Sequence, residues 1–198
     1  MAVLDSRLRQ WKDHLLTGVS RTPIGQVSPT ALTLTGMGVG IAASIVTWQH
    51  HYGWGLALWI LNRTVDGLDG TVARLHQRQS DLGGYLDMMA DVLIYALLPC
   101  SLAWSQAMGW WSLALLLASF YINLCSWTYL SAILAKRQQQ PTLTTIAMPG
   151  GLIEGTETIL FYCLFLIFPE HLVVLFSVMT GLVTLTALQR VLWACRHL

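Results

Sequence analysis

Charge is what this sequence has least of. Charged residues make up 11% of its 198 positions against 55% hydrophobic, where soluble domains carry roughly 25% charged residues. The mean hydropathy of +0.56 agrees. A water-soluble domain is excluded, an integral membrane protein is indicated, and the length suits one membrane domain. A net charge of +1 leaves no basic field, so no nucleic-acid partner is expected. The four cysteines, Cys100, Cys125, Cys163 and Cys195, are far apart in apolar segments. No CxxC or Cys/His pattern exists to support a zinc or redox site, and they read as small buried hydrophobes. The first 20 residues are charged and lack an apolar core, so no cleavable signal peptide is expected. Long linkers, low-complexity tracts and internal repeats are also missing.

What is present is apolar sequence in helix-length blocks. Over residues 3–17, Leu4, Leu8, Trp11, Leu15 and Leu16 share one helical face, while Arg7, Lys12, Asp13 and His14 fall elsewhere. That pattern predicts an amphipathic helix in the membrane interface, with residues 1–27 forming this helix and a linker. Ser28-Pro29 then marks a helix start. Six spans are predicted, near 29–50, 54–74, 83–104, 109–135, 150–168 and 171–193. The expected fold is therefore all-α: a six-helix transmembrane bundle over 28–198, in one domain. The fifth span is the weakest, because Glu154 and Glu157 leave an apolar run only from Ile159 to Phe168. A re-entrant or tilted element is the alternative there. All 11 basic residues fall on one side of this topology: Arg7, Arg9, Lys12, Arg21, Arg63, Arg74, Arg78, Lys136, Arg137, Arg190 and Arg196. The positive-inside rule then places both termini in the cytoplasm. Tryptophans populate the opposite connections, as an interfacial belt would.

The acidic residues stand out against this background. Asp66, Asp69, Asp87 and Asp91 lie within membrane spans, where carboxylates are costly and rarely idle. Helical spacing puts Asp66, Asp69, Ala73 and Arg74 broadly on one side of one helix. It puts Gly83, Asp87 and Asp91 along one face of the next. Two such helices facing each other would gather four carboxylates, whose repulsion a divalent cation would relieve. The segment reads Asp66-x2-Asp69-Gly70-x2-Ala73-Arg74-x8-Gly83-x3-Asp87-x3-Asp91.

This pattern resembles the signature of the CDP-alcohol phosphotransferase (CDP-alcohol phosphatidyltransferase class I) family, and every fixed position of that signature is met. The match covers 26 residues, so the rest of the chain is judged separately. The resemblance implies a transfer of a substituted phosphoryl group from a CDP-linked donor to a hydroxyl, with release of CMP. It implies Asp66, Asp69 and Asp87 as ligands of two Mg²⁺ or Mn²⁺ ions. Asp91 is the implied general base, also able to touch metal. All-oxygen ligation favours such hard ions over zinc. The competing reading of the aspartates is ion pairing with Arg63 or Arg74; four acids against two bases argue against it. Asp69, Gly70, Ala73, Arg74 and Gly83 are implied nucleotide contacts. Helix packing through small residues is the other reading of Gly70, Gly83 and Ala73, and snorkelling to the interface that of Arg74. Thr30 and Thr33 resemble a family Pro-Asn-x-x-Thr segment, although Thr30 replaces the usual asparagine and helix capping explains it equally well.

CDP-diacylglycerol is the expected donor, a small alcohol the acceptor, and a homodimer the expected assembly. The expected location is the bacterial inner membrane, with the active site cytoplasmic. Lys136, Arg137 and Arg190 could hold an anionic acceptor, and membrane anchoring explains them equally well. Glu154 and Glu157 are proposed to line the acceptor pocket; two acids at a helix N-terminus are the alternative. His50 and His51 lie on the far side from the aspartates and read as interface residues, and Asp81 reads as an N-cap or near-site acid. Two other functions stay open: headgroup transfer from a CDP-alcohol to diacylglycerol, and a divalent-cation transporter.

Overall fold

A computed structural model gives the fold, and it describes residues 27–106, 110–137 and 151–198. The amphipathic helix expected at residues 3–17 lies outside the described residues. Among the described residues six α-helices follow in order: α1 Pro29–Trp48, α2 Tyr52–Leu75, α3 Asp81–Ser105, α4 Trp110–Lys136, α5 Gly155–Ile167 and α6 Leu172–His197. A single 3₁₀ turn, Pro169–His171, precedes α6. No strand occurs among the described residues.

Local chemistry sets the boundaries. Ser28 caps α1, its Oγ accepting from the Ala31 N–H at 3.2 Å, with Pro29 in the first turn. Ser80, rather than Asp81, caps α3: its Oγ accepts from the Gly83 N–H at 3.1 Å, and Asp81 occupies the first turn.

Among the described residues four segments are long and apolar enough to cross a membrane: α1, α3, α4 and Pro169–His197. Helix α2 has 24 residues, enough to cover about 36 Å, but its length carries Arg63, Asp66 and Asp69. Helix α5 has only 13 residues and rises about 20 Å, short of the roughly 30 Å hydrocarbon core. Helix α5, at the weakest of the predicted spans, is thus the shortest of the described α-helices, and four of the six predicted spans are matched by helices of spanning length among the described residues.

Two compact units divide the chain. The first comprises residues 27–106 with Tyr162–Glu170, and the second residues 110–137, 151–161 and His171–Leu198. In the first, α1 packs on both α2 and α3. A side chain at Gly40 would come within 2.7 Å of Ile94 and 3.0 Å of the Asn62 amide, so glycine is what lets the three helices close up. Asn62 then donates to the Gly36 carbonyl at 2.7 Å. One end of this unit is tied by Tyr52, which donates to Ser105 Oγ at 3.1 Å and accepts from Gln106 at 2.7 Å. Trp48, Trp54 and Trp104 are exposed around that end, as interfacial residues would be. Asp66 lies about four turns past Tyr52, and Asp91 about four turns before Ser105, so both sit roughly 21 Å from the tied end.

In the second unit, α4 packs on α6. The strand of chain leading into α5 is pinned by the buried Thr186, whose Oγ1 accepts from the Leu152 and Ile153 N–H groups, both at 3.1 Å.

Candidate active site

Because α2 and α3 both pack on α1, their acidic faces meet at one depth. Thr33 of α1 donates to Asp69 Oδ2 at 2.6 Å, and both groups are buried. Asp87 of α3 lies within electrostatic reach of Asp69 and Asp91, and close enough to Asp66 for a side-chain hydrogen bond. Asp69 in turn feels Asp66 and Asp91. The four aspartates singled out in the sequence are therefore brought together.

At the centre of this group is Arg63, one of the two bases that the sequence offers as ion-pair partners for the aspartates. Arg63 is 9% exposed and stands midway along α2. Its Nη1 donates to Asp91 Oδ1 at 2.7 Å and to the Tyr95 hydroxyl at 3.1 Å, and lies 3.7 Å from Asp66 Oδ2. Its Nε donates to Asn62 Oδ1 at 2.8 Å. The guanidinium plane stacks over Trp59 and Tyr95, with centroids 4.8 and 5.1 Å away. Those rings belong to a buried aromatic wall: Trp59 stacks on Tyr162 at 4.9 Å, and Tyr162 donates to the Tyr95 carbonyl at 2.5 Å. The ion pairing judged insufficient from residue counts is thus real for Arg63, although it leaves the other acids unneutralised. One available signal was its placement three residues before Asp66 and four after Trp59 on the same helix.

The other motif positions have local partners. Arg74 is exposed and donates weakly to Thr71 Oγ1 at 3.4 Å. A side chain at Gly70 would meet Arg74 Nη1 at 3.3 Å, so the missing Cβ leaves room for that guanidinium. Gly83 faces its cap, where a Cβ would lie 3.0 Å from Ser80 Oγ. Ala73 is half-buried on the face of α2 that follows Asp69 and Gly70.

The candidate acceptor residues all belong to the second unit. Glu154 Oε1 accepts from the Gly151 N–H at 3.0 Å, and Glu157 Oε2 from the Glu154 N–H at 3.1 Å. Glu157, three residues into the start of α5, thus reaches back to the N–H that precedes the helix, as an acid in a first turn does, while Glu154 fastens the turn leading into it. Arg190 donates to Asn123 Oδ1 at 2.6 Å, and its buried Nε has no hydrogen-bond partner. Lys136 and Arg137 end α4 exposed, with Arg137 donating to the Leu198 carbonyl at 3.3 Å.

The donor set fits a hard divalent cation. It is all carboxylate oxygen, and Asp87 Oδ1 is buried with no hydrogen-bond partner, a costly state that a cation would relieve. No three Asp, Glu, His or Cys side chains are already arranged around a common point among the described residues. Two of the four carboxylates are engaged by other side chains, Asp69 by Thr33 and Asp91 by Arg63.

The sequence profile of CDP-alcohol phosphatidyltransferases matches residues 26–188. The chain belongs to the CDP-alcohol phosphatidyltransferase family. It is a membrane transferase of that class, and the cation-transporter alternative falls with that membership. It is 34% identical over 174 residues to the inner membrane protein YnjF of Escherichia coli, covering 83% of this chain and 82% of that one. It is 27% identical over 96 residues to a CDP-diacylglycerol–serine O-phosphatidyltransferase of Mycobacterium tuberculosis, spanning 48% of this chain but only 34% of that protein. Its fold is that of the phosphatidylinositol phosphate synthase of Mycobacterium tuberculosis. The structure of that synthase with CDP-DAG bound gives a TM-score of 0.66 at 18% identity, covering 91% of each chain. Its complex with manganese and citrate gives 0.67 at 19% identity, covering 91% of this chain and 87% of that one.

Proposed function

We propose that this member transfers a phosphatidyl group from CDP-diacylglycerol to the hydroxyl of a small alcohol, releasing CMP, in phospholipid biosynthesis. The observation that carries this reading is the gathering of Asp66, Asp69, Asp87 and Asp91 on the facing helices α2 and α3, with buried Asp87 Oδ1 left without a partner. A mainly apolar helical exterior suits a diacyl donor, and the fold neighbour in Mycobacterium tuberculosis has been seen with CDP-DAG.

In this reading Asp66, Asp69 and Asp87 hold two Mg²⁺ or Mn²⁺ ions, with Asp91 able to join them. Bound there, such ions would neutralise the pyrophosphate and stabilise the entering and leaving oxygens of an in-line displacement. The chain's own residues do the rest. Thr33 fixes the Asp69 carboxylate. Exposed Arg74, with Gly70 leaving room for its guanidinium, receives the nucleotide phosphates, and Asp69, Ala73 and Gly83 are the further proposed nucleotide contacts. Asp91 takes the proton of the acceptor hydroxyl as its oxygen bonds to the β-phosphorus and the bond to CMP breaks. Lys136, Arg137 and Arg190 are the candidate cations for an anionic acceptor, and Glu154 and Glu157 the candidate pocket acids.

The family match runs through both units, which supports a single catalytic domain over 28–198. The proposed setting is a homodimer in the bacterial inner membrane, with both termini and the aspartates on the cytoplasmic side.

Thermal unfolding with CDP tests the site. CDP raises the Tm of the purified protein only when Mg²⁺ or Mn²⁺ is present, and Asp69→Asn removes the effect. Protection by CDP in EDTA equal to that in Mn²⁺ would contradict the metal-bridged arrangement.

A further inference from the structure

We propose that Arg63 is a resident counter-cation of the acidic site, which holds Asp91 and Asp66 while no divalent ion is bound and so sets how tightly the site takes one. This rests on the reading of the aspartates as a metal site. The argument is one of charge and access. Four carboxylates lie close together, and Arg63 ion-pairs with two of them, Asp66 and Asp91. Its Nη1 is 2.7 Å from Asp91 Oδ1, a charge-assisted hydrogen bond.

Arg63 cannot easily leave. Asn62 orients its Nε, Trp59 and Tyr95 stack on its plane, and Asn62 is itself fixed to α1 through the Gly36 carbonyl. A lysine in this position would lack the planar fork and the stacking. Any cation that recruits Asp91 must therefore displace the guanidinium from that carboxylate or share it. Two consequences follow. Metal-free protein stays folded because Arg63 offsets part of the acidic repulsion. Metal binds more weakly than the four carboxylates alone would allow.

The test is Mn²⁺ binding to the purified protein in detergent, by calorimetry and by the bound-ion electron paramagnetic resonance signal, with unfolding followed in EDTA and in Mn²⁺. Neutral Arg63→Met is expected to bind Mn²⁺ at least tenfold more tightly than wild type, to lose Tm in EDTA, and to recover it when Mn²⁺ is added. Combining Arg63→Met with Asp91→Asn is expected to restore part of the Tm lost in EDTA. Affinity that is unchanged or weaker in Arg63→Met overturns the proposal and leaves Arg63 a packing element. If Arg63→Met is recovered only when Mn²⁺ is present throughout purification, the proposal stands. Should it fail to fold in both conditions, Arg63→Gln, which keeps a side-chain polar group near Asn62 and Tyr95, carries the same readouts. Failure of both variants with and without Mn²⁺ makes the arginine a structural keystone and overturns the proposal. Wild type that binds no Mn²⁺ sinks the metal-site reading itself, a separate result.

Discussion

At the scale of single residues, the site works through side chains that hold other side chains. Thr33 touches no reacting group in this account, yet its hydroxyl orients Asp69 Oδ2 at 2.6 Å inside the helix packing. Thr33→Val keeps the shape and removes the donor. A hydrogen bond to a charged group contributes roughly 1.5–3 kcal/mol, so Mn²⁺-dependent CDP binding should weaken by about tenfold or more. A titration of CDP protection measures it, and an unchanged midpoint would remove Thr33 from the site. The four aspartates were legible in the sequence because helical spacing is a strong constraint and carboxylates at membrane depth demand a reason. Arg63 was not. By position it sits with the other bases on one side of the topology. Its pairing with Asp91 arises on a different helix, 28 residues on, and only tertiary packing reveals it. For Glu154 and Glu157 the sequence left a pocket and a helix start both open, and in the structure one oxygen of each accepts from a backbone N–H, of Gly151 and of Glu154.

At the scale of helices, close approach is what turns the motif into a site. Gly40→Ala would push a methyl group against Ile94 and the Asn62 amide that braces Arg63. Overpacking of this kind typically costs about 1–3 kcal/mol. We expect a lower Tm together with lost CDP protection, and partial recovery of Tm when Ile94→Val is added. A Gly40→Ala protein with wild-type Tm and CDP protection would mean that the α1–α2–α3 contact is looser than described. Thr186 plays a comparable part before α5. Thr186→Val removes the acceptor shared by the Leu152 and Ile153 N–H groups, which is expected to destabilise by about 1–3 kcal/mol. Faster amide hydrogen exchange at residues 152 and 153 would register it, and unchanged exchange would show that other partners suffice. Helix starts at Ser28 and near Asp81 were readable from capping chemistry. The α5 length was only half readable, because acids at a helix start interrupt an apolar run without showing where the helix stops.

At the scale of the molecule, the account requires the aspartates to face the cytoplasm. Positions 50 and 78 lie at opposite ends of the first unit, flanking α2. In a protein whose four cysteines are replaced, a cysteine at 78 should be labelled from the cytoplasmic side and one at 50 from the opposite side. The reverse pattern would invert the topology. Apolar composition and one-sided basic residues made the membrane fold legible. They mark the spans unequally, because α2 carries its charges in mid-helix and α5 is short. The most direct test of the central claim is CMP release by the purified protein given CDP-diacylglycerol, Mg²⁺ or Mn²⁺, and small alcohol acceptors one at a time. The account predicts release that depends on one acceptor and on the metal, and that falls about 100-fold or more in Asp91→Asn. Metal-dependent release of equal rate from wild type and Asp91→Asn, or no release with any acceptor, would contradict it.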